Sequence, residues 1–159
     1  EGLAELVKEE FPQAEALFGT STAGIAHAAI TAEILGLPMG YVRGSAKDHG
    51  RQNQVEGKLG KGDKVVVVED LISTGGSVLD CVKVLQENGA EVLGIVSIFT
   101  YGMQKGKDRL AEAKVVNHSL CDLDALLPVA VEQGYIEKEE QEKLLRFRDN
   151  PSDESWREA

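Results

Sequence analysis

Apolar positions along this chain fall into alternating short runs and helical spacings. Leu3–Phe11 has the spacing of a short amphipathic helix, ended by Pro12. Ala16–Gly19 is a compact apolar run that predicts a strand. Beyond it, Ile25, Ala28, Ala29 and Ala32 fall at i, i+3, i+4 and i+7, the period of a helix, and Gly36 and Pro38 stop it. Met39–Val42 predicts a second strand. Residues 44–62 are polar, glycine-bearing and without periodicity, and a loop of that length in a compact domain is usually functional. Lys64–Glu69 carries four consecutive valines, the mark of a strand buried on both faces inside a parallel sheet. Val78, Cys81, Val82 and Leu85 return to the helical period, and Asn88-Gly89 closes that helix. Glu91–Phe99 predicts a further strand and Lys114–Asn117 another. Asp122 is placed to cap a helix over Leu123–Val131, with Pro128 arguing for a late start or a kink. Glu137–Arg148 predicts a charged surface helix, and the tail from Asn150 is polar apart from Trp156.

Strands alternating with helices predict an α/β fold, a central parallel β-sheet flanked by α-helices, as a single domain over residues 1–159. In such sheets ligands bind beyond the carboxyl ends of the strands. Two segments fit that place: GTSTAG over Gly19–Gly24 and EDLISTGGS over Glu69–Ser77, each following a strand and preceding a helix.

Charge sharpens this. The net charge of −10 argues against a nucleic-acid partner held through a basic surface. Between Arg43 and Lys64 the sign reverses, with six Lys/Arg against three Asp/Glu, and His49 adds to the basic side. Local positive charge in an acidic protein points to an anion site. Cys81 and Cys121 are the only cysteines; they form neither a disulfide framework nor a metal-ligand pattern, which favours a reducing compartment. No run is apolar enough to span a membrane and no signal peptide is visible, so the expected location is cytoplasmic, with no membrane partner.

The chemistry concentrates in Val65–Ser77. Glu69 and Asp70 at the end of a buried strand need partners, because isolated carboxylates are costly to bury. Taken alone, such acids are structural about as often as they are functional. Here Ser73, Thr74, Gly75, Gly76 and Ser77 follow. Glycines let the main chain approach a phosphate, hydroxyls add donors, and the helix opening near Gly75 presents free N–H groups and the positive end of its dipole. Hydroxyl-binding acids beside a phosphate cradle suit a sugar phosphate, and the second cradle at the same sheet edge suits a ligand with two phosphate-bearing ends.

This segment, Glu-Asp-Leu-Ile-Ser-Thr-Gly-Gly-Ser after four valines, resembles the phosphoribosyl-pyrophosphate (PRPP) motif of type I phosphoribosyltransferases. RGSAKDHG over Arg43–Gly50 resembles the catalytic loop of the orotate phosphoribosyltransferases, bacterial type, through its Arg, its Lys four residues on and its His two further. GTSTAGIAHA is similar to that family's pyrophosphate-side loop, and VLGIVSIFTYG to a bacterial branch. The resemblance implies the type I phosphoribosyltransferase fold and a pentosyltransferase of pyrimidine biosynthesis: PRPP and orotate give orotidine 5′-monophosphate and pyrophosphate, with Mg²⁺ bound through PRPP and no metal ligand from the protein. By the same resemblance Arg43, Lys47 and His49 are catalytic and bind PRPP. Glu69 and Asp70 hold the ribose hydroxyls. Leu71, Ile72, Ser73, Thr74, Gly75, Gly76 and Ser77 complete the PRPP site, and Ser73 also touches orotate. Thr20, Ser21, Thr22, Ala23 and Gly24 form the pyrophosphate-side loop. A homodimer is implied, with the catalytic loop reaching the neighbouring subunit's site.

The chain departs from the family pattern at Gly44 and Ala23, both often lysine. Typical members also carry some tens of residues before the point matching Glu1, a segment expected to form the orotate lid. Arg51 has no matching role; His27, His118, Cys81 and Cys121 read as structural or surface residues. Competing readings are a purine phosphoribosyltransferase sharing the PRPP site, and a PRPP-sensing regulatory protein, which would need a basic face that this composition lacks.

Overall fold

The computed structural model describes residues 1–44 and 54–152. Helix α1 (Gly2–Glu10) leads into strand β1 (Ala16–Thr20), helix α2 (Ala23–Leu35), strand β2 (Met39–Val42) and the short strand β3 (Val55–Glu56). Strand β4 (Lys64–Ile72), helix α3 (Gly76–Glu87), strand β5 (Glu91–Thr100), helix α4 (Gln104–Ala113), strand β6 (Asn117–Asp122) and helices α5 (Leu123–Glu132) and α6 (Lys138–Asp149) follow. The sheet has the order β3-β2-β1-β4-β5-β6. Its pairs are parallel except β2–β3, which is antiparallel.

The four valines behave as their pattern predicts. Val65 and Val67 turn to one face, packing with Phe18 of β1 and with Val78, Val82 and Leu85 of α3. Val66 and Val68 turn to the other, against Leu17, Ala28 and Ala32, and Leu3, Val7 and Phe11 of α1. All four are fully buried, each worth roughly 1.5–3 kcal/mol relative to exposure. The sheet therefore has one core on each side: α1 and α2 cover one face, α3 the other.

Winding reverses in the middle. From β1 the chain steps outward to β2 and β3, then crosses back to β4 on β1's other side and proceeds to β5 and β6. The carboxyl ends of β1 and β4 thus flank a topological switch point, where open α/β sheets bind ligands.

Several elements differ from their sequence reading. The central strand does not stop at Glu69 but runs to Ile72, because β5 pairs with it as far as Thr100. The last strand is Asn117–Asp122, not Lys114–Asn117: Lys114 is the left-handed C-cap of α4, with φ +55°, and cannot open a strand. Helix α4 and strand β3 were not anticipated. Helix α5 starts at Leu123 despite Pro128 inside it, with Asp122 Oδ1 accepting from the Ala125 N–H at 2.8 Å as the cap position implied. Among the described residues, no helix is long and apolar enough to cross a membrane.

Candidate active site

Two loops meet at the switch point. The first leaves β1 at Thr20 and enters α2 at Ala23, with Thr22 at the N-cap. Its close fit rests on glycine. A Cβ on Gly19 would lie 2.7 Å from the Gly24 carbonyl oxygen, and one on Gly24 would lie 2.5 Å from the Val68 carbonyl oxygen while striking the Thr20 hydroxyl. Helix α2 therefore begins pressed onto the two central strands. Ser21 Oγ donates to the Val42 carbonyl, tying this loop to the end of β2, and the Ser21–Thr22 peptide bond is cis.

The second loop, Ser73–Gly75, joins β4 to α3. Gly75 occupies the left-handed region at φ +73°, which an L side chain rarely adopts, and no side chain caps α3. The first N–H groups of that helix are thus left for an anion. Helix α4 braces this turn from behind. Arg109 Nη1 donates to the Thr74 carbonyl at 3.1 Å, and a Cβ on Gly106 would lie 2.6 Å from the Ser73 carbonyl oxygen. The sequence carries little signal for either contact, since α4 offers only Leu110 as a large apolar residue.

Between the loops lie the acids. Glu69 is 5% exposed and Thr20 is 4% exposed. Glu69 Oε1 accepts from Thr20 Oγ1 at 2.5 Å and from the Asp70 N–H at 3.0 Å. Burial, and next a hydrogen bond with Asp70, push the Glu69 carboxyl up to about 7. Asp70 moves the other way: its hydrogen bond with Glu69 is the largest cause, followed by backbone hydrogen bonds, with an electrostatic contribution from the neighbouring His27 on α2. Neighbouring carboxyls sharing a proton divide in this manner, the more buried one holding it. His27 is thereby placed beside the site rather than on an indifferent surface.

A cavity of about 430 Å³ opens between the first loop, the end of β2 and helix α3, lined by Thr20, Ser21, Arg43, Gly44 and Ser77 among others. Arg43, at the end of β2, forms an ion pair with Glu56 at 2.9 Å, both side chains about two-fifths exposed (44% and 42%). Gly44 lines the same cavity and adds no charge there. Lys47, His49 and Arg51 lie outside the described residues. Of the remaining cysteines and histidine, Cys81 is buried, its thiol pushed up to about 12 by desolvation, Cys121 is partly exposed, and His118 packs edge-on to Phe11 at 5.6 Å between centroids.

Known proteins match this arrangement. A family model described as the phosphoribosyl transferase domain matches residues 3–125. The orotate phosphoribosyltransferase of Bacillus cytotoxicus is 58% identical over 155 residues, covering 98% of this chain and 74% of that relative. The chain belongs to the orotate phosphoribosyltransferase family. The same enzyme of Bacillus cereus is equally similar, 58% identical over 98% of the chain and 74% of the relative. Among solved structures, the orotate phosphoribosyltransferase from Aeropyrum pernix superposes with a TM-score of 0.70 at 32% identity, covering 85% of this chain and 76% of that one. The family relationship extends across both loops, the acid pair and α4.

Proposed function

We propose that this chain transfers ribose 5-phosphate from PRPP to orotate, releasing pyrophosphate and forming orotidine 5′-monophosphate. The observation that carries this reading is the acid pair near the carboxyl end of β4, with Glu69 buried beside Thr20 of β1 and the Ser73–Gly75 turn leading on into the uncapped start of α3. Ser73–Ser77 take the 5′-phosphate through helix N–H groups and hydroxyls. Glu69 and Asp70 take the 2′ and 3′ hydroxyls as acceptors. The loop from Thr20 to Gly24 faces the pyrophosphate, and Ser73 reaches the base.

Breaking the C1–pyrophosphate bond builds positive charge on the ribose and negative charge on the leaving group. Cations or donors aimed at that leaving group lower the barrier. Arg43 is one such group. Its ion pair with Glu56 is solvent-exposed, and exposed pairs are worth only about 0–1 kcal/mol, so Arg43 is released to an arriving phosphate at small cost. Lys47 and His49 supply the rest. Among the described residues no group of three or more His, Cys, Asp or Glu side chains is placed to hold a metal ion. Mg²⁺ fits as a companion of the substrate, held by phosphate oxygens, ribose hydroxyls and water, where it neutralises pyrophosphate charge.

We further propose a homodimer in which Lys47 and His49 of one subunit serve the site of the other. Support comes from α2, which opens at the pyrophosphate-side loop and exposes Ile30 (61%) and Ile34 (46%) one turn apart. The assay is direct. Orotate absorbance is followed with PRPP and Mg²⁺, then repeated with Lys47→Ala. Turnover by the wild type and a fall of at least a hundredfold in the variant are expected; equal turnover in both removes the loop from the mechanism.

A further inference from the structure

Thr20 occupies a position where the fold alone would prefer valine. It ends a strand whose other residues are all buried, and it is itself buried at the edge of the cavity. Its hydroxyl caps no helix, since Thr22 holds the N-cap of α2 and makes no side-chain cap bond there. Instead Oγ1 lies 2.5 Å from Glu69 Oε1, against 3.4 Å from the Val68 carbonyl oxygen. On the opposite side of Glu69, its β5 partner is Ser97, and the hydroxyl of Ser97 is engaged by Asn117 and Ser119 of β6. Thr20 is thus the cross-strand group that fixes the Glu69 carboxyl. It is also pinned from outside: Gly24, the second residue of α2, sits so close that any Cβ there would strike the Thr20 hydroxyl.

We propose that Thr20 is a positioning residue acting through Glu69: its hydroxyl holds the carboxyl in the orientation that receives the ribose, and it does not itself contact pyrophosphate. This rests on Glu69 and Asp70 being the ribose-holding acids. The chemical logic is that of a second partner orienting a ligand-binding group. A glutamate carboxyl rotates about its side-chain torsions unless a fixed donor selects one rotamer, and a ligand that must freeze it loses affinity. The consequence is a separation of effects. Loss of the Thr20 hydroxyl weakens recognition of the sugar half of the substrate and leaves the pyrophosphate half alone, although Thr20 belongs by sequence to the pyrophosphate-side loop.

The test uses the full chain and two probes by calorimetry: ribose 5-phosphate, and pyrophosphate with Mg²⁺. Thr20→Val keeps the shape and removes the donor; Thr20→Ser keeps the donor and removes the methyl. The expected result is about a tenfold loss of ribose 5-phosphate affinity in Thr20→Val, the size of one hydrogen bond to a charged group. Pyrophosphate affinity is unchanged in that variant, and Thr20→Ser returns ribose 5-phosphate affinity to the wild-type level. In a Glu69→Gln background, Thr20→Val produces no further loss, because the group it orients is already altered. A fall in pyrophosphate affinity, or unchanged ribose 5-phosphate affinity in Thr20→Val, overturns the proposal. Failure of both Thr20 variants to fold makes the residue structural and overturns it as well. If the wild type itself gives no heat with ribose 5-phosphate, the assignment of the acid pair is wrong, and this proposal goes with it.

Discussion

Replacing Glu69 by Gln is expected to make the ligand-free protein more stable at alkaline pH while removing its grip on PRPP. The folded state raises this carboxyl from an ordinary value of 4.5 to about 7, chiefly through burial. Ionised Glu69 is therefore disfavoured in the fold relative to the unfolded chain. A group raised in this way contributes its full stability below about pH 4.5 and loses it as pH climbs through about 7. At about 1.4 kcal/mol per pH unit, the penalty amounts to about 3 kcal/mol at pH 8 and about 1 kcal/mol at pH 5. Asp70, shifted downward, stays ionised through this window and does not offset the trend. Gln escapes the ionisation penalty, but its amide oxygen accepts from the Thr20 hydroxyl and the Asp70 N–H less strongly than a carboxylate oxygen does, at a cost of about 1 kcal/mol. The net expectation is no difference at pH 5 and a gain of about 2 kcal/mol at pH 8. For a chain of this size that is roughly 4–8 °C in Tm. Thermal unfolding followed by circular dichroism at the two pH values measures it, and the same samples are tested for turnover, which is lost in the variant. A Tm gap equal at both pH values, or a variant that melts lower at pH 8, would refute the argument that burial of an ionising acid destabilises the empty site.

Other consequences are smaller in scope. Gly106→Ala places a Cβ 2.6 Å from the Ser73 carbonyl oxygen, so it should shift the phosphate turn and lower ribose 5-phosphate affinity about tenfold in calorimetry, although alanine is the better helix former. Arg109→Met, which keeps the bulk and loses the donor to Thr74, should raise the KM for PRPP several-fold with little change in kcat, read from steady-state kinetics. Native protein exposed to an aromatic disulfide reagent at pH 8 should be labelled at Cys121 and spared at the buried Cys81, whose thiol stays protonated there; mass spectrometry of the digested product distinguishes them.

The parts of the fold legible in the sequence are those in which one residue type repeats for a physical reason. The valine run of β4 requires apolar cover on both faces, and α2 and α3 carry the helical spacing that provides it. Glycine at position 75 and hydroxyls on either side are likewise readable, because a phosphate turn needs them locally. Helix α4 escaped because most of its positions are polar, and it docks through the Gly106 backbone, Arg109 and a single core-facing leucine, Leu110, rather than a broad apolar stripe. Strand β6, with the sequence NHSLCD, lacks β-branched residues and owes its conformation to pairing with β5. The run of β4 past Glu69 left a weak signal, the apolar pair Leu71-Ile72, which the acids obscured. The inward turn of Thr20 toward Glu69 depends on the alignment of two strands far apart in the chain, which no local pattern encodes.

The two-residue strand β3 has a bearing on how this molecule behaves in crowded solution. Open sheet margins invite foreign backbones to add themselves, the first step toward insoluble fibres. By folding back antiparallel for only Val55 and Glu56, the chain covers the flank of β2 and offers in its place a template too brief to recruit another strand, with a charged Arg43–Glu56 pair lying across it.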